Sequence, residues 1–282
     1  MVGYIENPVR RRWRVLRGRK QGLDFDGNLL VLPPDHDLPF YIRRDPTYDT
    51  YAIGLVRDLV ADAESPVVID IGANVGDTAI GMLSANPRLS VLSVEGSSRF
   101  VEYLSENLAP YPDRAMWMHS FVGPISGVAA YQEFGSTGGF QGGEGATIVD
   151  SWVSPAELLA CVADHDYVIY KSDIDGFDIH VLAQYWSDIE PRCDVIWFEY
   201  DPVRTLGDRA DIARLLDLLA ASGRELWVYD NLGRRMFTCA ATEAPQIIGG
   251  LNDWLQAGFA GHLVVPYLDI WAVRPRQSCG SR

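Results

Sequence analysis

The stretch Val67-Val68-Ile69-Asp70-Ile71-Gly72-Ala73-Asn74-Val75-Gly76-Asp77-Thr78 constrains the fold of this chain more than any other. Val67, Val68, Ile69 and Ile71 form the short apolar run of a parallel strand covered on both faces. Gly72 and Gly76 bracket a turn of little side-chain bulk, which leaves room for a ligand beside the backbone. Asp77 and Thr78 open a helical pattern continued by Ile80, Met82 and Leu83. At such a helix start, unpaired N–H groups and the positive end of the dipole favour an anionic group. The rest of the chain must then supply the strands and helices that complete an α/β sheet.

Two cofactor families use a turn of this kind. A dinucleotide fingerprint needs glycine two positions after Gly72, where this chain has Asn74, so the NAD-dependent oxidoreductase reading loses ground. The pattern D-x-G-x-N-x-G instead resembles motif I of S-adenosylmethionine-dependent methyltransferases. Asp70 and Asn74 are suitable hosts for the methionyl carboxylate and ammonium, with Gly72, Gly76, Asp77 and Thr78 completing the turn. Glu95 ends the next apolar strand, Leu89 to Val94, where a carboxylate can accept both ribose hydroxyls.

The chain has 282 residues, 48% of them hydrophobic, enough to bury a substantial core as one catalytic domain with extensions. No apolar run approaches the ~20 residues of a membrane span, and no signal-peptide core is visible, so a soluble, cytoplasmic protein is expected. Cys161, Cys193, Cys239 and Cys279 lie far apart without a C-x-x-C pair and read as free thiols. The net charge is −14, but seven of the 24 cations and one of the 38 acids fall in residues 1–20, leaving −20 on the remainder. That body repels nucleic acid. Only two of the cations are lysines, Lys20 and Lys171, so a lysine inside a strand asks for a reason.

The basic segment 10–20 reads as a nucleic-acid or membrane-surface arm, or as cations that pair with the acidic body or a neighbouring subunit; the second suits the charge balance and allows a homo-oligomer through this extension. Turn signals in residues 21–46 around Leu29–Leu32 and Leu38–Ile42 predict one or two hairpins. The spacing of Tyr51, Ile53, Leu55, Val56 and Leu59 predicts a helix over 49–63. Further expectations are a helix carrying Phe100 to Leu108, a strand Ala115–Val122, strands Tyr167–Ser172 and Cys193–Tyr200, a helix Ala210–Ser222, and strands Glu225–Tyr229 and Leu268–Val273. The third strand ends near His119 and Ser120, where this architecture usually borders an adenine. His119 is a candidate base, although a histidine near a strand end more often has a structural bond. Six glycines in 135–145 predict either a lid ordered by substrate or a disordered insertion.

With the turn and the block Lys171-Ser172-Asp173-Ile174-Asp175-Gly176-Phe177-Asp178 both in hand, the chain resembles the FkbM family of methyltransferases over about residues 50–273. That family carries a K-x-D-x-E-G-F-E-like block; here Asp175 and Asp178 stand where glutamate is commoner, and Ser172 replaces an apolar residue. The resemblance implies a Rossmann-like class I methyltransferase fold, a seven-stranded, mostly parallel sheet of order 3-2-1-4-5-7-6 with helices on both faces. It also implies O-methylation of a small natural product or glycan. The domains so expected are a basic extension with a hairpin (1–48), the methyltransferase domain (49–275) and a tail (276–282).

Methyl transfer from a sulfonium is an in-line displacement, so the protein must align acceptor, methyl and sulfur and remove the acceptor's proton. Lys171, Asp173, Asp175 and Glu199, with Asp201, converge at neighbouring strand ends in such a sheet, and one acid is the expected base. Alternatively the acids hold Mg²⁺, although the resemblance requires no metal. A cofactor-binding partner subunit without transferase activity is a further alternative.

Overall fold

Strand β3 (Pro66–Ile71) is buried at every position, as its apolar run predicts. The computed structural model describes residues 15–124, 130–134, 137–139, 147–148, 151–206, 208–257 and 265–275. Ahead of β3, β1 (Gln21–Phe25) and β2 (Asn28–Leu32) form a hairpin closed by Asp26 and Gly27, both at positive φ. After β3 come β4 (Ser90–Glu95), β5 (Ala115–His119), and the short β6 (Phe121–Val122). A small antiparallel sheet follows from β7 (Ala130–Phe134), β8 (Thr137–Gly139) and β9 (Thr147–Ile148), and β10 (Trp152–Val153) pairs with β6. The remaining strands are β11 (Tyr167–Ser172), β12 (Val195–Tyr200), β13 (Glu225–Asp230), β14 (Arg235–Ala240) and β15 (Leu268–Val273).

The main sheet runs β5-β4-β3-β11-β12-β15-β13-β14. Its first five strands are parallel neighbours, and β15 is antiparallel to both β12 and β13. This is a Rossmann-like methyltransferase fold, established by the strand order itself. It corrects the expected sheet in two respects. There are eight strands rather than seven, and counted along the chain their order is 3-2-1-4-5-8-6-7 rather than 3-2-1-4-5-7-6. Both differences come from β14, which hairpins back onto β13. Of its six residues only Cys239 is buried, so an edge strand of this kind shows little hydrophobic period.

Side chains alternate between two apolar layers. Val67, Ile69 and Ile71 enter one, with the helices Asp178–Ile189 and Ala210–Ala221; Val68 enters the other, with the helices Thr50–Leu59 and Asp77–Ala85. Phe25, Leu30 and Leu32 of the hairpin belong to the second layer, as does Leu38, so the described part of this segment packs against the main sheet. Asn107 fastens them: its side chain bonds both backbone groups of Val31 and also donates to the Val75 carbonyl in the glycine turn.

Two expected strands are corrected. Leu38–Arg44 is a helix with proline in its first turn, where the missing N–H costs nothing. The expected Ala115–Val122 strand breaks at Ser120, whose N–H turns to the Glu95 carbonyl at 3.0 Å. Within the basic segment, Lys20 pairs with Glu106. Residues 10–14 lie outside the described residues, as do all but Gly138 and Gly139 of the glycines in 135–145. Among the described residues no helix is long and apolar enough to cross a membrane.

Gly72 (φ +75) sits where strand ends meet: a Cβ there would lie 1.8 Å from the Asp173 carbonyl oxygen. Gly54, within the helix Thr50–Leu59, has nothing within 4 Å of its Cβ position. Gly72→Ala is therefore expected to cost ~3 kcal/mol or more of stability, and Gly54→Ala to add ~0.5–1 kcal/mol. Urea unfolding measures both, and an unchanged midpoint for Gly72→Ala would contradict this packing.

Candidate active site

The strand order reverses between β3 and β11, because the chain runs outward through β4 and β5 and then returns to the other side of β3. Ligands of open α/β sheets bind beyond the carboxyl ends of the strands at such a point. A cleft of about 660 Å³ lies there, lined by the turn after β3, Glu95, Ser120 and the loop after β11.

Strand register orders its floor. Asp70, Lys171, Trp197, Trp271 and Trp227 stand side by side on five adjacent strands. Trp197 and Trp271 stack at 4.3 Å, and the Lys171 ammonium lies 5.5 Å from the Trp197 ring centre. Two residues further toward the cleft come Asp173, Glu199 and Asp269, the last two directly paired across β12 and β15. A row of tryptophans thus carries a row of carboxylates.

Lys171 is buried and donates to Asp70 Oδ1 at 2.7 Å, with Asp173 Oδ2 at 3.8 Å. Burial alone would lower its pKa, but Asp70 and Asp173 outweigh burial and raise it, so the lysine stays charged. Asp70 does not line the cleft; it lies behind Lys171, and its buried Oδ2 has no partner among the described residues. Asp70 and Lys171 therefore act as a fixed charge pair beneath the site. Ser172, the departure from an apolar residue, donates to Asp178 at 2.6 Å, and Asp178 also accepts from the Ile174 N–H. This clamp shapes the loop that presents Asp173. Burial, followed by the Asp173 charge, pushes Asp178 up to about 7.

At the other end of the cleft, Glu95 accepts from the N–H groups of Asn74 and Ser97, each at 2.7 Å. Burial pushes its carboxyl up to about 7 against those two bonds. The N–H groups of Gly72 and Ala73 both point to the Val94 carbonyl, so the turn is less open to an anion than its sequence predicts. Asp77 and Thr78 line the cleft at the helix start, and burial raises the Asp77 pKa. Gly76 (φ +83) serves helix packing, since a Cβ would lie 2.8 Å from Leu104. Asn74 (φ 51) accepts from His36 at 3.1 Å. Leu38 N–H donates to His36 Nδ1, which leaves Nε2 as the protonated nitrogen. Ser120 lines the cleft; His119 does not, and bonds the Gly96 carbonyl at 3.2 Å.

The front wall comes from residues the sequence reading left out. His36, Tyr41, Tyr48 and Asp49 precede the sheet, and Tyr267 and Asp269 open β15. Burial raises the pKa of Asp49 and of Glu199 well above the carboxylate range, with neighbouring aspartates adding to both shifts. The available signal was the one that singled out Lys171, a charged residue set among buried neighbours, as in Leu268-Asp269-Ile270. Asp175 (φ 51) lines the cleft in the loop, whereas Asp201 turns away and accepts from the N–H groups of Val203 and Arg204. Among the described residues no group of three or more His, Cys, Asp and Glu side chains is arranged to hold a metal ion.

No protein-family model and no curated protein matches the sequence. Similar solved structures include an O-methyltransferase from Bacillus cereus in complex with SAH, at 12% identity and a TM-score of 0.42, covering 85% of this chain and 98% of that one. Another is magnesium protoporphyrin IX methyltransferase from Synechocystis PCC 6803 with bound SAM, at 13% identity and a TM-score of 0.42, covering 83% and 84%. A third is precorrin-6y C5,15-methyltransferase from Geobacter metallireducens GS-15, at 12% identity and a TM-score of 0.41, covering 79% and 87%. At this level the likenesses carry no functional weight, and the fold assignment stands on strand order.

Removing one partner of a buried ion pair leaves the other charge alone in a poor solvent. Lys171→Met is expected to cost ~3–5 kcal/mol, and the double variant Asp70→Asn/Lys171→Met clearly less than the sum of the singles. Urea unfolding of the four proteins completes the cycle. Additivity within ~0.5 kcal/mol would mean that the two residues do not act as a unit.

Proposed function

We propose that this chain is an S-adenosylmethionine-dependent methyltransferase of the FkbM kind, acting on a hydroxyl of a small natural product or glycan. The observation that carries this reading is the pairing of Glu95 with the turn after β3 at the point where strand order reverses. A carboxylate has about four lone-pair positions, and Glu95 commits two to backbone N–H groups, so it retains capacity for a ribose diol. Gly96, Phe100, Ser120 and Phe121 beside it supply apolar and polar surface for the adenosine. The engaged N–H groups of Gly72, Ala73 and Asn74, together with Asp77 at the helix start, leave a pyrophosphate poorly served. The same features favour a cationic methionyl sulfonium over a dinucleotide.

When bound, S-adenosylmethionine supplies an electrophilic methyl group. The chain's own task is to hold the acceptor in line and take its proton. Lys171, kept charged by Asp70 and Asp173, is unsuited as a base and serves to fix Asp173. The carboxylates above the tryptophan row, Asp173, Glu199 and Asp269, are the proton acceptors at hand, with Asp175 at the loop edge.

Calorimetry with S-adenosylhomocysteine tests the cofactor assignment. Glu95→Gln is expected to weaken binding by ~1.5–3 kcal/mol, the range for a hydrogen bond to a charged group. Because Glu95 ionises near 7, wild-type affinity should rise with pH across neutrality, and this rise should vanish in Glu95→Gln. A change below ~0.5 kcal/mol would place the ribose elsewhere. Tighter binding of NADH than of S-adenosylhomocysteine would favour the oxidoreductase alternative.

A further inference from the structure

We propose that Asp269 is the general base that removes the acceptor's proton, and that Tyr51 is the positioning residue that aims it. This rests on the methyltransferase reading and assigns roles within the same cleft. The Tyr51 hydroxyl donates to Asp269 Oδ2 at 2.7 Å, although the two residues are 218 positions apart. The Tyr51 ring is held from two sides. It stacks on Tyr229 at 5.2 Å and 29°, and it lies against Gly233, where a Cβ would come within 2.0 Å of the ring. Gly233 has φ +74, so the loop after β13 is shaped to admit that ring. Tyr229 is also the cross-strand partner of Asp269. A tyrosine fixed in this way leaves its hydroxyl one direction to point.

Asp269 lines the cleft, and Tyr51 engages one of its oxygens. Its setting suits proton transfer better than that of the other acids. Asp173 is half exposed, and its Oδ2 lies 3.8 Å from the Lys171 ammonium, a partner it already faces. Among the described residues Glu199 has no tyrosine donor, and burial together with the charges of Asp173, Asp178 and Asp269 disfavours its ionised form. For Asp269, burial raises the pKa, the Tyr51 bond lowers it, and the balance is about 7. Asp173 and Asp230 act on it from the β11 and β13 sides in the raising direction, and Lys171 in the lowering one. Asp49 ahead of the helix Thr50–Leu59, Glu199 on β12 and Tyr267 at the start of β15 share its field. A base poised near neutrality combines an ionised fraction with real proton affinity.

In the step so assigned, the acceptor O–H proton passes to Asp269 while the acceptor oxygen bonds the methyl carbon. The S–C electron pair returns to sulfur, giving the methyl ether and S-adenosylhomocysteine. Asp269 then releases the proton to water.

The test needs no knowledge of the acceptor. Sinefungin is an S-adenosylmethionine analogue that carries an ammonium in place of the methylsulfonium, whereas S-adenosylhomocysteine lacks a charge there. A carboxylate at the reaction centre favours sinefungin, so the ratio of the two affinities reads its presence. Calorimetry at pH 8 is expected to show the ratio falling about tenfold or more in Asp269→Asn, with S-adenosylhomocysteine affinity within about threefold of wild type. In wild type the sinefungin preference should rise with pH across neutrality. In Tyr51→Phe the lost donor raises the Asp269 pKa, so that rise should move to higher pH, a change that a merely structural tyrosine would not produce. An unchanged ratio in Asp269→Asn overturns the base assignment, and an unmoved pH profile in Tyr51→Phe overturns the positioning role. Wild-type protein that binds neither probe overturns the cofactor reading and this proposal with it.

Discussion

The buried contact between Lys171 and Asp70 is the constraint on which the rest of the site depends. An ammonium inside a sheet is tolerated only beside a carboxylate, and β3 and β11 bring the two into register. That register fixes where each strand ends. It sets Gly72 against the Asp173 carbonyl, and the registers of β12 and β15 extend the row with Trp197 beside the lysine, Trp271 next to Trp197, and Glu199 and Asp269 one step above with Asp173. The pair acts by making one alignment of the central strands much better than any shifted one, since a slip of either strand by one residue would turn its own charge into the opposite apolar layer and leave the other buried without its partner.

Around this centre the two ends of the cleft are built by different means. The end at the glycine turn is local in sequence, with turn, helix start and next strand all within residues 66–95, held by backbone bonds between Gly72, Ala73 and Val94 and by Glu95. The end at the carboxylate row gathers groups from residues 36–49, from the loop after β11, from β12 and from β15. Its carboxylates are close enough to shift one another's protonation, so the charge of that end is a property of the group rather than of single residues.

This difference explains what could be read from the sequence. The strand-turn-helix unit, the acid at Glu95 and the block after β11 are contiguous, and their elements fall where spacing predicts. The lysine at 171 stood out because the chain uses almost no other. By contrast β14 buries too little to show a period, and Leu38–Arg44 has too few residues to distinguish a helical turn from a strand. The helix Pro155–Cys161 had a signal that went unused: Ser154 and Glu157 form a capping box. Asp49, Tyr51 and Asp269 meet only through the fold, and no local pattern announces that they share a wall. The glycine turn carried a further lesson. Its residues were read as space for a ligand, yet Gly72 and Gly76 are required first by neighbouring protein atoms.

Part of the front wall of the cleft belongs to a segment that contributes no strand to the main sheet. His36, Tyr41, Tyr48 and Asp49 are attached through the His36–Asn74 bond and the hairpin layer. That part of the wall is thus separable from the floor. A change of side chains in residues 36–49 can therefore reshape the opening of the cleft, while the strands beneath it keep their alignment.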